Sequence, residues 1–140
     1  MKTYQPRKKD IKRDWHIIDA KGKILGRIST EITSYLTGKN KPSFSRHMDI
    51  GDYVVVINAS EVSVSGKKDK QKVYRRHSGY PGGFKEVKYS QLLKEQPKKV
   101  IEHAVSGMLA DNRLKDDRLR RLKIFSGETH PYGDKFNGKN

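Results

Sequence analysis

Cysteine is absent from the chain. That excludes a disulfide framework and any thiolate zinc site, and it removes the usual support for a small extracellular domain. Acidic residues are scarce beside basic ones, Asp+Glu 16 against Lys+Arg 31, which leaves a formal net charge of +15. No stretch approaches the roughly 18 consecutive apolar residues that span a bilayer, and residues 1–14 lack the apolar segment of an export signal. A reducing, cytoplasmic setting without a membrane partner is therefore expected. Large apolar side chains are few as well: Leu, Ile, Val and Phe make up only about a fifth of the chain, near the level at which highly charged sequences stop folding. Their distribution matters more than their number. They cluster in 15–36, 50–64, 84–109 and 119–125 and are sparse between. This spacing predicts one domain over 1–140, built as a basic arm at 1–14, an α/β core with basic loops at 15–126, and an irregular tail at 127–140.

What the chain has in excess is positive charge, spread over most of its length with a pI near 10.0. Such a chain repels itself when compact and favours a polyanion, and an envelope of phosphates matches it better than one small anionic substrate. The densest stretch is 66–88, where Lys67, Lys68, Lys70, Lys72, Arg75, Arg76, Lys85 and Lys88 face only Asp69 and Glu86. Tyr74-Arg75-Arg76-His77 there runs into Ser78-Gly79-Tyr80-Pro81-Gly82-Gly83. Cations neutralise phosphates, Tyr and Arg planes stack on splayed bases, and glycine amides approach oxygens closely. A solvated loop is the bland reading of a single charge run. It does not account for the same pattern along the rest of the chain.

Local patterns place these residues. Trp15 to Ala20 reads as a strand ended at Lys21-Gly22-Lys23, and Ile24, Leu25, Ile28, Ile32, Tyr35 and Leu36 recur at helical spacing up to Gly38. Tyr53 to Ile57 is a continuous β-branched run of the kind found in a central, covered strand. Val62 and Val64 make a short alternating piece, Val73-Tyr74 and Phe84 to Val87 two further strands. Ser90 is expected to cap a brief helix, and Pro97 to open a stronger one bearing Val100, Ile101, Ala104, Val105, Met108 and Leu109. Leu114 to Leu122 reads as a basic helix and Leu122 to Phe125 as a last strand. Strands interleaved with helices favour an α/β over an α+β arrangement.

Catalytic and metal readings weaken on inspection. His16, His47, His77, His103 and His130 have no i, i+4 pairing, so no metal is expected. His47 and His77 sit beside arginines, which suits hydrogen bonding to phosphate or ribose better than general-base work. Gly22 to Arg27 follows a strand and opens a helix, but it matches neither dinucleotide nor Walker spacing; Gly26 is expected to serve close helix packing and Arg27 to lie at a phosphate-facing helix start. Asp49 and Asp52 have the character of a turn before a strand, and Asp116 and Asp117 are expected to pair with Arg120 and Arg121 along one helix. The competing readings are an enzyme acting on a nucleotide or RNA at Gly22 to Arg27, and a module that binds acidic proteins.

Several motifs in order resemble one family: Trp15 to Ala20, Leu25-Gly26-Arg27, Gly38-Lys39-Asn40-Lys41-Pro42, Asp49 to Ala59, His77 to Gly83, Gly107-Met108-Leu109 and Leu122 to His130. The chain resembles the bacterial form of ribosomal protein thirteen of the large subunit, from Trp15 to about Tyr132. The resemblance implies a three-layer α/β/α domain with a small, about four-stranded, mostly parallel sheet. It also implies a structural protein of the large (50S) subunit that binds 23S ribosomal RNA beside neighbouring ribosomal proteins, supports early assembly, needs no cofactor and catalyses nothing. Residues expected at the RNA are Arg7, Lys8 and Lys9 in an arm ordered on binding; Arg27; Lys39, Lys41, Arg46 and His47 in one loop; Lys67, Lys68, Lys72, Arg75, Arg76, His77, Ser78 and Tyr80 in another; and Arg113, Arg118 and Arg121 late in the chain.

Overall fold

A computed structural model describes residues 2–136. Strand β1 (Trp15–Asp19) and strand β2 (Tyr53–Ile57) pair in parallel, with Trp15 opposite Tyr53. Between them runs α1 (Leu25–Thr37), whose Ile28, Ile32 and Leu36 fall on one buried stripe and whose end is set by Gly38 at φ 80°. After β2 come α2 (Lys68–Gln71), β3 (Val73–His77), β4 (Phe84–Lys88), α3 (Tyr89–Glu95), α4 (Pro97–Met108) and α5 (Lys115–Arg120). Strand β5 (Leu122–Ile124) then lies parallel to β2 on its other side, so the sheet order is β1-β2-β5.

The β-branched run occupies the centre, as its two-faced apolarity requires: Val54, Val55 and Val56 are wholly buried. Val54 and Val56 join Ile18 and Leu122 against α1 and α4, the latter opened by Pro97 and burying Val100, Ile101 and Val105. On the opposite face Trp15 stacks on Tyr53 and Tyr132, and the single turn of α6 (Gly133–Phe136) lies against β1. The α/β expectation holds. The sheet has three strands where about four were expected, because β3 and β4 pair only with each other as an antiparallel hairpin.

Smaller expectations fail for identifiable reasons. Val62 and Val64 flank a single bridge between Ile24 and Ser63 rather than forming a strand. Ser90 lies inside α3, which starts after Lys88. A Cβ on Gly26 would meet nothing, so no neighbouring helix demands that glycine. Arg120 pairs with Asp117 at i, i+3, while Arg121 turns inward to Asp49. The tail is not wholly irregular, since α6 interrupts it; its last expected residues, 137–140, lie outside the described residues.

A buried ionic hub joins the loop before β2 to the segment entering β1 and to the end of α5. Gly51 passes so near the end of α1 that a Cβ there would stand 1.7 Å from the Leu36 carbonyl oxygen, which only glycine permits. Beside it Asp52, 1% exposed, accepts from Lys41 Nζ at 2.5 Å, from the Asp14 amide at 3.0 Å and faces His16 Nε2 at 2.8 Å. Burial pushes the Asp52 carboxyl upward, but these three partners together outweigh it and hold the group below the usual carboxylate value. A depressed folded pKa contributes stability that is complete above the unfolded value and lost as pH falls through the folded one. Urea midpoints are therefore expected to fall below about pH 4, with a flatter acid profile in Asp52→Asn. An unchanged acid profile in that variant would contradict the assignment.

Candidate nucleic-acid interface

The hairpin of β3 and β4 is apolar at its root and charged beyond it. Tyr74 and Val87 lie opposite each other, the Tyr74 ring meets His103 of α4 edge-on at 5.1 Å, and the Tyr89 amide donates to the Lys72 carbonyl at 2.9 Å. Tyr89 itself is buried in the core, so the root is anchored while Arg75, Arg76 and His77 stand in solvent. Along the ladder Arg75 faces Glu86, with Nε 3.0 Å from the carboxylate, an exposed pair of little energetic weight. Arg76 faces Lys85. Two like charges directly across an antiparallel ladder are destabilising, and a polyanion laid over them removes the penalty.

At the tip, Ser78 donates its amide to the Gly83 carbonyl and Gly83 donates to Tyr80, closing a tight loop. The Gly79 amide donates to His77 Nδ1 at 2.9 Å, which leaves Nε2 as the nitrogen free to donate outward. Tyr80 is 76% exposed and Phe84 57%, aromatic faces set among cations. Phe84 was missed by sequence reasoning, which read it only as a strand residue; the signal was its register opposite His77 beside the glycine loop.

Other expected residues divide into exposed and withdrawn. Arg7, Lys8 and Lys9 are exposed around a short 3₁₀ turn, Arg27 is exposed in the first turn of α1, and Lys67 and Lys68 are exposed at α2. Lys39, Arg46, His47 and Arg113 are exposed too, His47 Nδ1 lying 2.6 Å from the Ser45 hydroxyl. Lys72 is half-buried, its ammonium 5.4 Å from the centre of the Tyr74 ring, and burial, then nearby Lys68, lowers its pKa. Lys41 is turned inward onto Asp52 and the carbonyls of Lys12 and Ile50, so its three donors are spent inside the protein.

Arg118 and Arg121, expected at the RNA from the late basic helix, are likewise buried. Arg121 grips both oxygens of Asp49 and donates to the Leu36 carbonyl at 2.9 Å and the Asp52 carbonyl at 3.3 Å. Arg13, a second hub residue not foreseen, donates to the carbonyls of Gly51 and Asp49. Arg118 approaches the same carboxylate only to 3.8 Å, and its buried Nε makes no hydrogen bond. It lines a cavity of about 410 Å³ with Lys39, Phe44, Arg46, Met108 and Asn112. Among the described residues no group of acidic and histidine side chains is arranged to hold a metal ion, and no helix is long and apolar enough to cross a membrane.

A family model described as ribosomal protein L13 matches residues 13–131. The chain is 54% identical over 132 residues to the large ribosomal subunit protein uL13 of Dehalococcoides mccartyi (strain ATCC BAA-2266 / KCTC 15142 / 195), covering 94% of this chain and 92% of that relative. To the protein of the same name from Alcanivorax borkumensis it is 51% identical, covering 94% and 93%. To that of Clostridioides difficile strain 630 it is 48% identical, covering 94% and 92%.

Proposed function

Since the chain belongs to the ribosomal protein L13 family, we propose that it is a structural constituent of the large ribosomal subunit that binds 23S ribosomal RNA and supports early subunit assembly. It works in the cytoplasm as part of the ribosome, beside neighbouring large-subunit proteins. Family membership, not any missing group, decides against the enzyme at Gly22 to Arg27. The observation that carries the RNA reading is the hairpin, where Arg76 faces Lys85 across the ladder and exposed Tyr80 and Phe84 flank the tip. This arrangement costs the free protein stability, and an anionic partner relieves it. Phosphates laid along the strands meet Arg75, Arg76 and Lys85, the His77 Nε2 donor and Ser78 reach backbone or ribose oxygens, and the aromatics stack on unpaired bases. Lys67 and Lys68 at α2, Arg27 on α1, Arg113 ahead of α5 and the arm residues Arg7, Lys8 and Lys9 extend the interface.

The test is binding of the purified chain to 23S ribosomal RNA over a range of salt. With Z phosphates neutralised, the logarithm of affinity is expected to fall against the logarithm of salt with a slope of roughly −0.7Z to −0.9Z. In a cell lysate the chain is expected to sediment with large ribosomal particles. Salt-independent binding, or a chain that stays free of those particles, would overturn the reading.

A further inference from the structure

The cavity beside Arg118 has features that a merely structural arginine does not explain. Arg118 is 4% exposed, and Asp49, the one carboxylate paired with it among the described residues, already gives both oxygens to Arg121. A buried charged donor left without a hydrogen bond is costly, and the Arg118 Nε is in that state on the side of Asp49, 3.8 Å from its carboxylate, while the residue also lines about 410 Å³ of open space. That volume lies within the range of roughly 300–1,000 Å³ typical of ligand sites. The other polar groups on the walls complete a set of donors. Lys39 and Arg46 side chains make no hydrogen bond or ion pair among the described residues. The Asn112 Oδ1 accepts from the Leu114 amide, which leaves its NH₂ group to donate into the space. Thr33 and Thr37 spend their hydroxyl hydrogens on the carbonyls of Ser29 and Thr33.

Among the described residues no acidic side chain lines this cavity. The larger cleft under the hairpin, about 580 Å³, mixes Glu95 and Glu102 with Arg75, Arg76, Lys85 and Lys99 on its walls, whereas the charged side chains lining this one are all basic. We propose that the Arg118 cavity seats one phosphate group of an RNA backbone, held by the Arg118 fork, the Asn112 amide and the ends of Lys39 and Arg46. Planar guanidinium donors match two phosphate oxygens at once, and the exposed basic loop carrying Arg46 and His47 leads the strand to the opening. The source is the RNA backbone rather than a free anion, since the cavity adjoins that loop and the cationic surface continues outward from it. This inference rests on the RNA-binding function proposed above and adds a site separate from the hairpin.

Arginine Nε–H resonances of the full-length chain give the test, with inorganic phosphate and a short structured RNA hairpin added separately. Arg118→Lys removes one resonance and so assigns it; should that variant not fold, the exposed pair K39Q/R46Q still reads the site. The expected result is a saturable shift of the Arg118 Nε–H signal by RNA and a weaker one by phosphate, which competes with the RNA for it. Affinity read at that signal is expected to drop about tenfold in K39Q/R46Q. If RNA moves the signals of Tyr80 and its neighbours but leaves Arg118 unmoved, this inference falls while the proposed function stands. If phosphate alone moves Arg118 the site is a free-anion pocket, and the backbone assignment falls. Absence of any RNA binding would remove both readings together.

Discussion

Asp49→Ala is expected to unfold the protein at moderate temperature. Asp49 is the one carboxylate shared by Arg121, Arg13 and Arg118, and its removal leaves Arg121, 6% exposed, as an uncompensated charge beside the equally buried Arg118. Breaking a buried pair from one side costs about 3–5 kcal/mol, because the surviving charge pays its desolvation without a partner. Against a total of about 5–15 kcal/mol for a domain, that is about a fifth of the stability or more. The backbone feels the loss too: Arg121 also ties Leu36 at the end of α1 to Asp52 at the start of β2. Urea denaturation with unchanged slope and a lowered midpoint would measure the effect. A loss below about 1 kcal/mol, the scale of an exposed pair, would show that the hub is not buried as described. Arg121→Met should cost less than Asp49→Ala, since an apolar side chain strands no buried cation.

The second large effect is on affinity and should leave the fold intact. In the triple variant R76Q/K85Q/K68Q every altered side chain is exposed, and one like-charge cross-strand pair disappears. Folding stability is expected to stay the same or rise slightly. Binding to 23S ribosomal RNA is expected to weaken on the order of 10- to 100-fold at moderate salt, and the salt slope to shallow by roughly 0.7 to 0.9 for each phosphate that is no longer neutralised. Filter binding at several salt concentrations, beside a thermal melt, separates the two quantities. A variant that melts early but binds normally would reverse the assignment of core and surface. Weakened binding with an unchanged slope would mean that these side chains do not touch phosphates. Tyr80→Ala supplies a contrast, since losing a stacked base lowers affinity without altering the slope.

Local periodicity carries the elements. Tyr53 to Ile57 is apolar on both faces and could lie nowhere but mid-sheet, and the 3.6-residue stripe from Ile24 to Leu36 ends at a glycine that adopts positive φ. The hairpin was legible as two short strands around a glycine-rich turn, but its separation from the sheet was not, because pairing partners are a long-range choice. The charges divide in the same way. Arg75 and Arg76 remain in solvent near residues adjacent in sequence, whereas Arg121 finds Asp49 from 72 positions away and Lys41 finds Asp52 across a loop. A lysine that will be buried and one that will stay in solvent look identical in composition. Only the third dimension assigns Lys41 and Arg121 to the interior, and it leaves Arg118 between the two fates.

The chain carries a single tryptophan, and Trp15 stacks at 4.4 Å on Tyr53 of the central strand and at 5.0 Å on Tyr132 near the far end of the chain. One indole fluorophore thus sits where the first strand, the middle of the sheet and the closing segment converge. Its emission colour and quenching will register whether that segment is seated, an optical gauge of docking that needs no label.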